Sequence, residues 1–106
     1  MMVRTPESLW RSQGLKWLKL TLGKRIGWHY RTVGGVGQRS GIPDDLFLVD
    51  GKFLAIEWKR PGYKAKKVSQ QDIEIQRIRE AGGVAGKVSC LEDLQTLISE
   101  VLNHEN

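Results

Sequence analysis

The chain holds a single cysteine, Cys90, in 106 residues. That count excludes an internal disulfide and a cysteine-rich zinc site, and it fits a reducing, cytoplasmic setting. Long apolar runs are missing as well. The longest, such as Leu46–Val49 and Phe53–Ile56, fall far short of the ~20 residues needed to cross a bilayer. The N-terminus lacks the charged-then-apolar pattern of a signal peptide, so no membrane partner is expected. Four glycines crowd the segment Gly34-Gly35-Val36-Gly37-Gln38-Arg39-Ser40-Gly41. The GxGxxG spacing of a dinucleotide-binding turn is nevertheless absent and no helix pattern follows, so no small-molecule cofactor is expected. Without repeats, low-complexity tracts or linkers, the whole of 1–106 reads as one domain.

What the chain has in excess is positive charge. Lys and Arg number 17 against 12 Asp and Glu, for a net charge of +5. Residues 90–106 hold Glu92, Asp93, Glu100 and Glu105 and no Lys or Arg, so the basic excess lies entirely in the preceding body. Such a body points to a polyanionic partner, with nucleic acid ahead of a membrane surface. A non-catalytic nucleic-acid-binding module would satisfy this observation alone. A protein–protein adaptor would leave it unexplained.

The pattern predicts the element order α-β-β-β-α-β-α. Thr5 can cap a first helix, Pro6 suits its first position, and Glu7 favours the positive end of the helix dipole. Trp10, Gly14, Trp17, Leu18 and Leu22 recur at helical spacing, which reads as core packing, and Gly23 is a stop. A strand is predicted over Trp28–Val33, running into the glycine-rich segment. That segment serves either as flexible chain or as a place where backbone amides, with Arg31 and Arg39, approach a phosphate chain. Strands Asp45–Val49 and Lys52–Arg60 are joined by Asp50-Gly51, a strong hairpin signal. Pro61-Gly62 and a basic loop over Tyr63–Val68 follow. A second helix starts at Ser69, with Asp72 completing a capping box, and runs to Ala81 before Gly82-Gly83. Val84–Ser89 is a strand. Leu91–Leu102 is an amphipathic helix whose leucines face inward. The strand–helix–strand ending implies a mixed sheet flanked by helices.

The hairpin carries the specific signal. Strand alternation puts Phe53, Ala55, Glu57 and Lys59 on one face, and Leu54, Ile56 and Trp58 on the other. A two-residue turn at Asp50-Gly51 pairs Val49 with Lys52 and, carried inward, sets Asp44 opposite Glu57. Two carboxylates with Cβ atoms roughly 5 Å apart repel each other unless a cation lies between them. Asp45 points to the opposite face, as a structural or solvent-facing residue. Two acids that leave positions open for water and phosphate suit Mg²⁺ or Mn²⁺. Lys59 beside them can position a nucleophile or stabilise developing charge, which together describes metal-assisted phosphodiester hydrolysis.

Gly41-Ile42-Pro43-Asp44, a turn, and then Ile56-Glu57-Trp58-Lys59 resembles the PD-(D/E)xK nuclease signature, whose superfamily has an αβββαβ core. The closer resemblance is to the virus-type replication–repair nuclease (VRR-NUC) family. It rests on Gly-x-Pro-Asp before the hairpin, Pro61-Gly62 after Glu-x-Lys, and Ser69-Gln70-Gln71 opening the next helix. The similarity extends over about residues 5–100.

The resemblance implies an α/β fold of restriction-endonuclease type, a mixed central sheet flanked by helices with an extra C-terminal helix. It implies a Mg²⁺- or Mn²⁺-dependent DNA endonuclease of stand-alone phage type, working in the cytoplasm of a bacterial or phage-infected cell. Asp44 and Glu57 look like metal ligands, with the backbone carbonyl of Trp58 as a further one, and Lys59 looks like the catalytic lysine. Gln71 looks like the helix glutamine that organises the site, against a plain exposed first-turn residue. Glu7 stands where the family often has an acid near the metal, although its place at the helix dipole explains it equally. Arg31, Arg39, Arg60, Lys64, Lys66 and Lys67 are the expected DNA contacts. The family's small forms are similar to Holliday-junction resolvases, which implies a homodimer acting on branched DNA, with the first and last helices as dimer surfaces. His29 and His104 match no family position and are expected to be solvated or hydrogen-bonded.

Overall fold

A computed structural model describes residues 5–34 and 37–103. Part of the glycine-rich segment (Gly35, Val36) and His104 lie outside the described residues. The elements are α1 (Pro6–Leu22), a short 3-10 turn (Gly23–Arg25), β1 (Ile26–Arg31), β2 (Asp45–Val49), β3 (Lys52–Trp58), α2 (Gln70–Glu80), β4 (Val84–Val88) and α3 (Leu91–Leu102). The order is the α-β-β-β-α-β-α expected. The strands form one mixed sheet in the order β1-β2-β3-β4. β1, β2 and β3 run antiparallel, and β3 and β4 are parallel across the α2 crossover.

Local chemistry sets the boundaries. The Thr5 hydroxyl accepts a hydrogen bond from the Ser8 amide, with Pro6 behind it. Ser69 and Asp72 form the reciprocal capping box of α2, and Gly82 closes that helix at φ 97°. Asp50 and Gly51 both adopt positive φ, 52° and 78°, the backbone that a tight two-residue hairpin turn demands. Four strand limits differ from the sequence expectation, that of β4 by a single residue, at Val88. β1 begins earlier, at Ile26, because a bulge between Ile26 and Trp28 absorbs Gly27. It also ends at Arg31, although Thr32 still donates to the Asp44 carbonyl at 2.8 Å. β3 ends at Trp58, with one further ladder bond from the Lys59 amide to the Val88 carbonyl at 2.9 Å.

The sheet divides two apolar layers. On one side Phe47, Val49, Leu54, Ile56, Trp58 and Val88 pack with Leu18 and Leu22 of α1 and with Leu94, Leu97, Ile98 and Val101 of α3. On the other, Ala55 and Ala85 pack against Ile75 of α2, with Leu46, Phe53 and Ile78 around them. The first-helix tryptophans serve the core as expected. Trp10 meets the Trp58 ring edge-on at 5.7 Å and donates from its indole to the Val88 carbonyl at 3.1 Å, and Trp17 packs on the same cluster. Gly14 is where α1 rides over the Trp58 indole, because a Cβ there would collide with the ring. Leu94, Leu97, Ile98 and Val101 of α3 are buried against the sheet, whereas Leu91, expected on the same inward face, is 41% exposed at the start of the helix.

Candidate active site

Asp44 and Glu57 come together as the hairpin arithmetic expects. The observed register runs from Val49↔Lys52 to Asp45↔Ile56, and one further step sets Asp44 against Glu57. Asp44 is oriented by the backbone, since its Oδ2 accepts from the Trp58 amide at 3.0 Å. Glu57 is 3% exposed. Its Oε2 accepts from Gln71 Nε2 at 2.8 Å and lies 3.6 Å from Lys59 Nζ. Gln71 therefore points into the site from the first turn of α2 rather than standing in solvent. Glu57 Oε1 is buried and has no hydrogen-bond partner.

The electrostatics follow from this packing. Burial first, and then the Asp44 charge, push the Glu57 carboxyl up to about 8 from an ordinary 4.5, with Lys59 pulling the other way. Burial likewise raises Asp44. The two acids are within hydrogen-bonding reach of each other, but as carboxylates they have no hydrogen between them. A shared proton or a cation supplies what is lacking.

The donor set fits an ion that keeps most of its own ligands. Among the described residues no group of three or more His, Cys, Asp and Glu side chains gathers to hold a metal, so no all-protein cage is built from them. Two carboxylates, one with an orphaned buried oxygen, match the sparse protein share that Mg²⁺ takes beside water and phosphate.

Asp45, the next residue, turns to the other face. It is fully buried, which removes the solvent-facing alternative and leaves the structural one. Arg11 of α1 binds it through two nitrogens at 2.8 and 2.9 Å. His29 Nε2 lies 2.7 Å from its Oδ1, and the Trp58 indole donates to its Oδ2 at 2.7 Å. Burial alone would raise the Asp45 carboxyl, but bonds from Arg11, His29 and Trp58 hold it below the usual carboxylate range. His29 is thus the hydrogen-bonded histidine expected, and its ring also stacks on Phe47 at 4.4 Å. Trp58 couples the two faces, giving its amide to Asp44 and its indole to Asp45.

The remaining candidates scatter around this centre. Glu7 occupies the first turn of α1 and also lines, with Ser8, Arg11, Arg31, Thr32 and Asp44, a cavity of about 150 Å³. Its charge adds, as the smallest of the named causes, to the upward push on Glu57. Arg31 sits in the same cavity. Arg39 instead reaches α2, where its guanidinium binds Glu74 at 3.1 Å while Arg77 binds the other oxygen at 2.9 Å. The loop around it packs closely as well: Gly41 has φ 86°, and a Cβ there would come within 2.6 Å of the Gln70 carbonyl oxygen. Arg60, Lys64, Lys66 and Lys67 are exposed on the β3–α2 loop.

Sequence reasoning missed Lys87 and Tyr63. Lys87 stands beside Glu57 in the parallel ladder. Its Nζ binds Asp72 at 3.0 Å and donates to the Tyr63 hydroxyl at 3.4 Å. Burial pulls the Lys87 ammonium down, but Asp72 and Tyr63 outweigh it and leave it raised. The Tyr63 ring lies under both Lys59 and Lys87, at 5.1 and 5.4 Å, a cation–π stack that steadies Lys59 at the site. The only signal for Lys87 is a parallel register that local pattern does not set. Set against models of known protein families, curated proteins and solved structures, the chain matches none of them.

Proposed function

We propose that the protein is a Mg²⁺- or Mn²⁺-dependent DNA endonuclease of PD-(D/E)xK type, similar to the VRR-NUC family, acting in the cytoplasm as a homodimer on branched DNA. The observation that carries the reading is the Glu57 carboxylate, buried opposite Asp44 with one oxygen lacking a donor. Asp44, Glu57 and the Trp58 backbone carbonyl would hold the ion. When bound, it would activate water and offset charge on the phosphate.

The chain's own residues do the rest. Gln71 holds Oε2 of Glu57, which would leave the unpartnered Oε1 available to the ion. Lys59, steadied over Tyr63, stands where it can orient the nucleophile or meet the developing negative charge. Arg31 lines the neighbouring cavity, and the lysines of the β3–α2 loop supply positive charge for a phosphate backbone.

The test is incubation with Mg²⁺ or Mn²⁺, with and without chelator, on linear duplex, single-stranded, flap and four-way-junction DNA. Asp44→Asn, Glu57→Gln and Lys59→Ala should each reduce cleavage at least ~10²-fold while leaving the circular dichroism spectrum unchanged. Normal cleavage by Asp44→Asn would sink the assignment. Binding of all four DNAs without cleavage under any metal would establish the non-catalytic module instead.

A further inference from the structure

The face of the sheet that carries Glu57 extends beyond α2. Directly paired residues share a face, and Trp28 pairs with Leu48 and Tyr30 with Leu46. Leu48 and Leu46 in turn pair with Phe53 and Ala55, which lie under α2. Both aromatic rings therefore stand on the Glu57 side. α2 leans toward β4, since Asp72 binds Lys87 and Arg79 donates to the Ala85 carbonyl. Trp28 and Tyr30 are left 46% and 54% exposed. They stack on each other, with centroids 6.1 Å apart and planes 11° from parallel. The exposed guanidiniums of Arg39 and Arg77 bind Glu74 of α2, and Arg39 also lines a cavity together with Thr32 and Asp44. The aromatic pair on the sheet face and the Arg39 cation beside the loop thus both lie next to Asp44.

We propose that Trp28 and Tyr30 form a stacking platform for unpaired nucleotides of a DNA substrate, next to the phosphodiester bond presented to Asp44 and Glu57. The proposal deepens the nuclease reading and rests on it for the site it serves. Bases of any sequence stack on aromatic faces while cations hold the backbone. Tyr30 lies one strand away from Leu46, two residues from Asp44. At ~4.8 Å between strands and ~3.3 Å per residue, its Cα is about 8 Å from that of Asp44. That corresponds to roughly two stacked nucleotides at ~3.4 Å each.

The platform suits bases better than a protein. Two half-exposed rings, which could each bury ~150–250 Å², offer on the order of 200 Å², against the ~800 Å² per partner of a standard protein interface. The bulge between Ile26 and Trp28 also spoils the edge of β1 as a template for a strand from another chain.

The test is fluorescence anisotropy in chelator, with labelled single-stranded oligo-dT and a blunt duplex as probes. Trp28→Ala/Tyr30→Ala should weaken oligo-dT binding by about tenfold or more and leave duplex binding unchanged, whereas Trp28→Phe/Tyr30→Phe should retain most of it. Should the double alanine variant fail to fold, Tyr30→Ala alone gives the same comparison, with a smaller loss expected. Unchanged oligo-dT binding in a folded alanine variant overturns the proposal, as does an equal loss on both probes. A variant that changes only the mass in light scattering marks a contact between copies and overturns it too. Because no metal is present, a wild type that never cuts DNA would end the nuclease reading without touching this comparison.

Discussion

Glu57 combines three neighbours that want different things from it. Gln71 and Lys59 favour the ionised form, while Asp44 and burial oppose it, and the opposition wins with the carboxyl pushed up to about 8. In the unfolded chain the same group ionises near 4.5. The folded protein therefore holds its proton more tightly, and the associated stability is complete below the unfolded value. It is lost progressively as pH rises through about 8. A cation needs the ionised form and releases that proton on binding. The rise in melting temperature caused by Mn²⁺ should consequently grow with pH over the same interval, and a shift that is flat or shrinks would contradict the ligand role of Glu57. Glu57→Gln places an amide donor where no donor exists and removes the repulsion. It should stabilise the metal-free protein by ~1–3 kcal/mol above neutral pH, read by urea denaturation, while cutting is lost. A less stable Glu57→Gln protein would mean that the carboxylate pair is not under tension.

At the scale of elements, α1 is held to the sheet by its apolar face, by the close approach at Gly14 and by the Arg11–Asp45 ion pair. Ala is a better helix former than Gly by ~1 kcal/mol, so Gly14→Ala should help an isolated helix. Here the added methyl meets the Trp58 indole, and overpacking costs ~1–3 kcal/mol. We expect a net drop of several degrees in melting temperature, and an unchanged or higher value would show that α1 can lift off without cost. The elements themselves were largely legible. Thr5-Pro6, Ser69 with Asp72, and Asp50-Gly51 act within a few residues, and strand alternation then carries the hairpin register out to Asp44 and Glu57. Contacts that span the chain were not legible. Arg11 meets Asp45 and Arg39 meets Glu74 only after helices have docked, and Lys87 meets Asp72 only through the parallel β3–β4 register. The bulge at Gly27 likewise shifted β1 by two residues, since local pattern reads a glycine as a break and not as an accommodated extra residue.

For the whole molecule, the two sides of the sheet divide the labour. α1 and α3 close one side over the large core, and the other carries α2, the carboxylates and the exposed aromatic pair. Glu92, Asp93 and Glu100 lie on α3, so the acidic part of the surface is turned away from the side where DNA would approach. Among the described residues no helix is long and apolar enough to cross a membrane. A two-fold pair that kept both sites open would have to form without Leu94, Leu97, Ile98 and Val101 of α3, which are buried against the sheet. Light scattering should still give twice the chain mass if two strands of a junction are cut together, and a persistent monomer would remove the dimer from the proposal. Asp44 and Asp45 are neighbours with opposite duties, one set toward Glu57 and the other locked under Arg11, His29 and Trp58. Inserting or deleting a single residue within either strand, between Asp45 and Val49 or between Lys52 and Ile56, would exchange those duties unless a bulge absorbed it, as one absorbs Gly27 in β1. These strands can drift by substitution, but a change in their length needs a bulge or a compensating change to keep the two aspartates on their own sides.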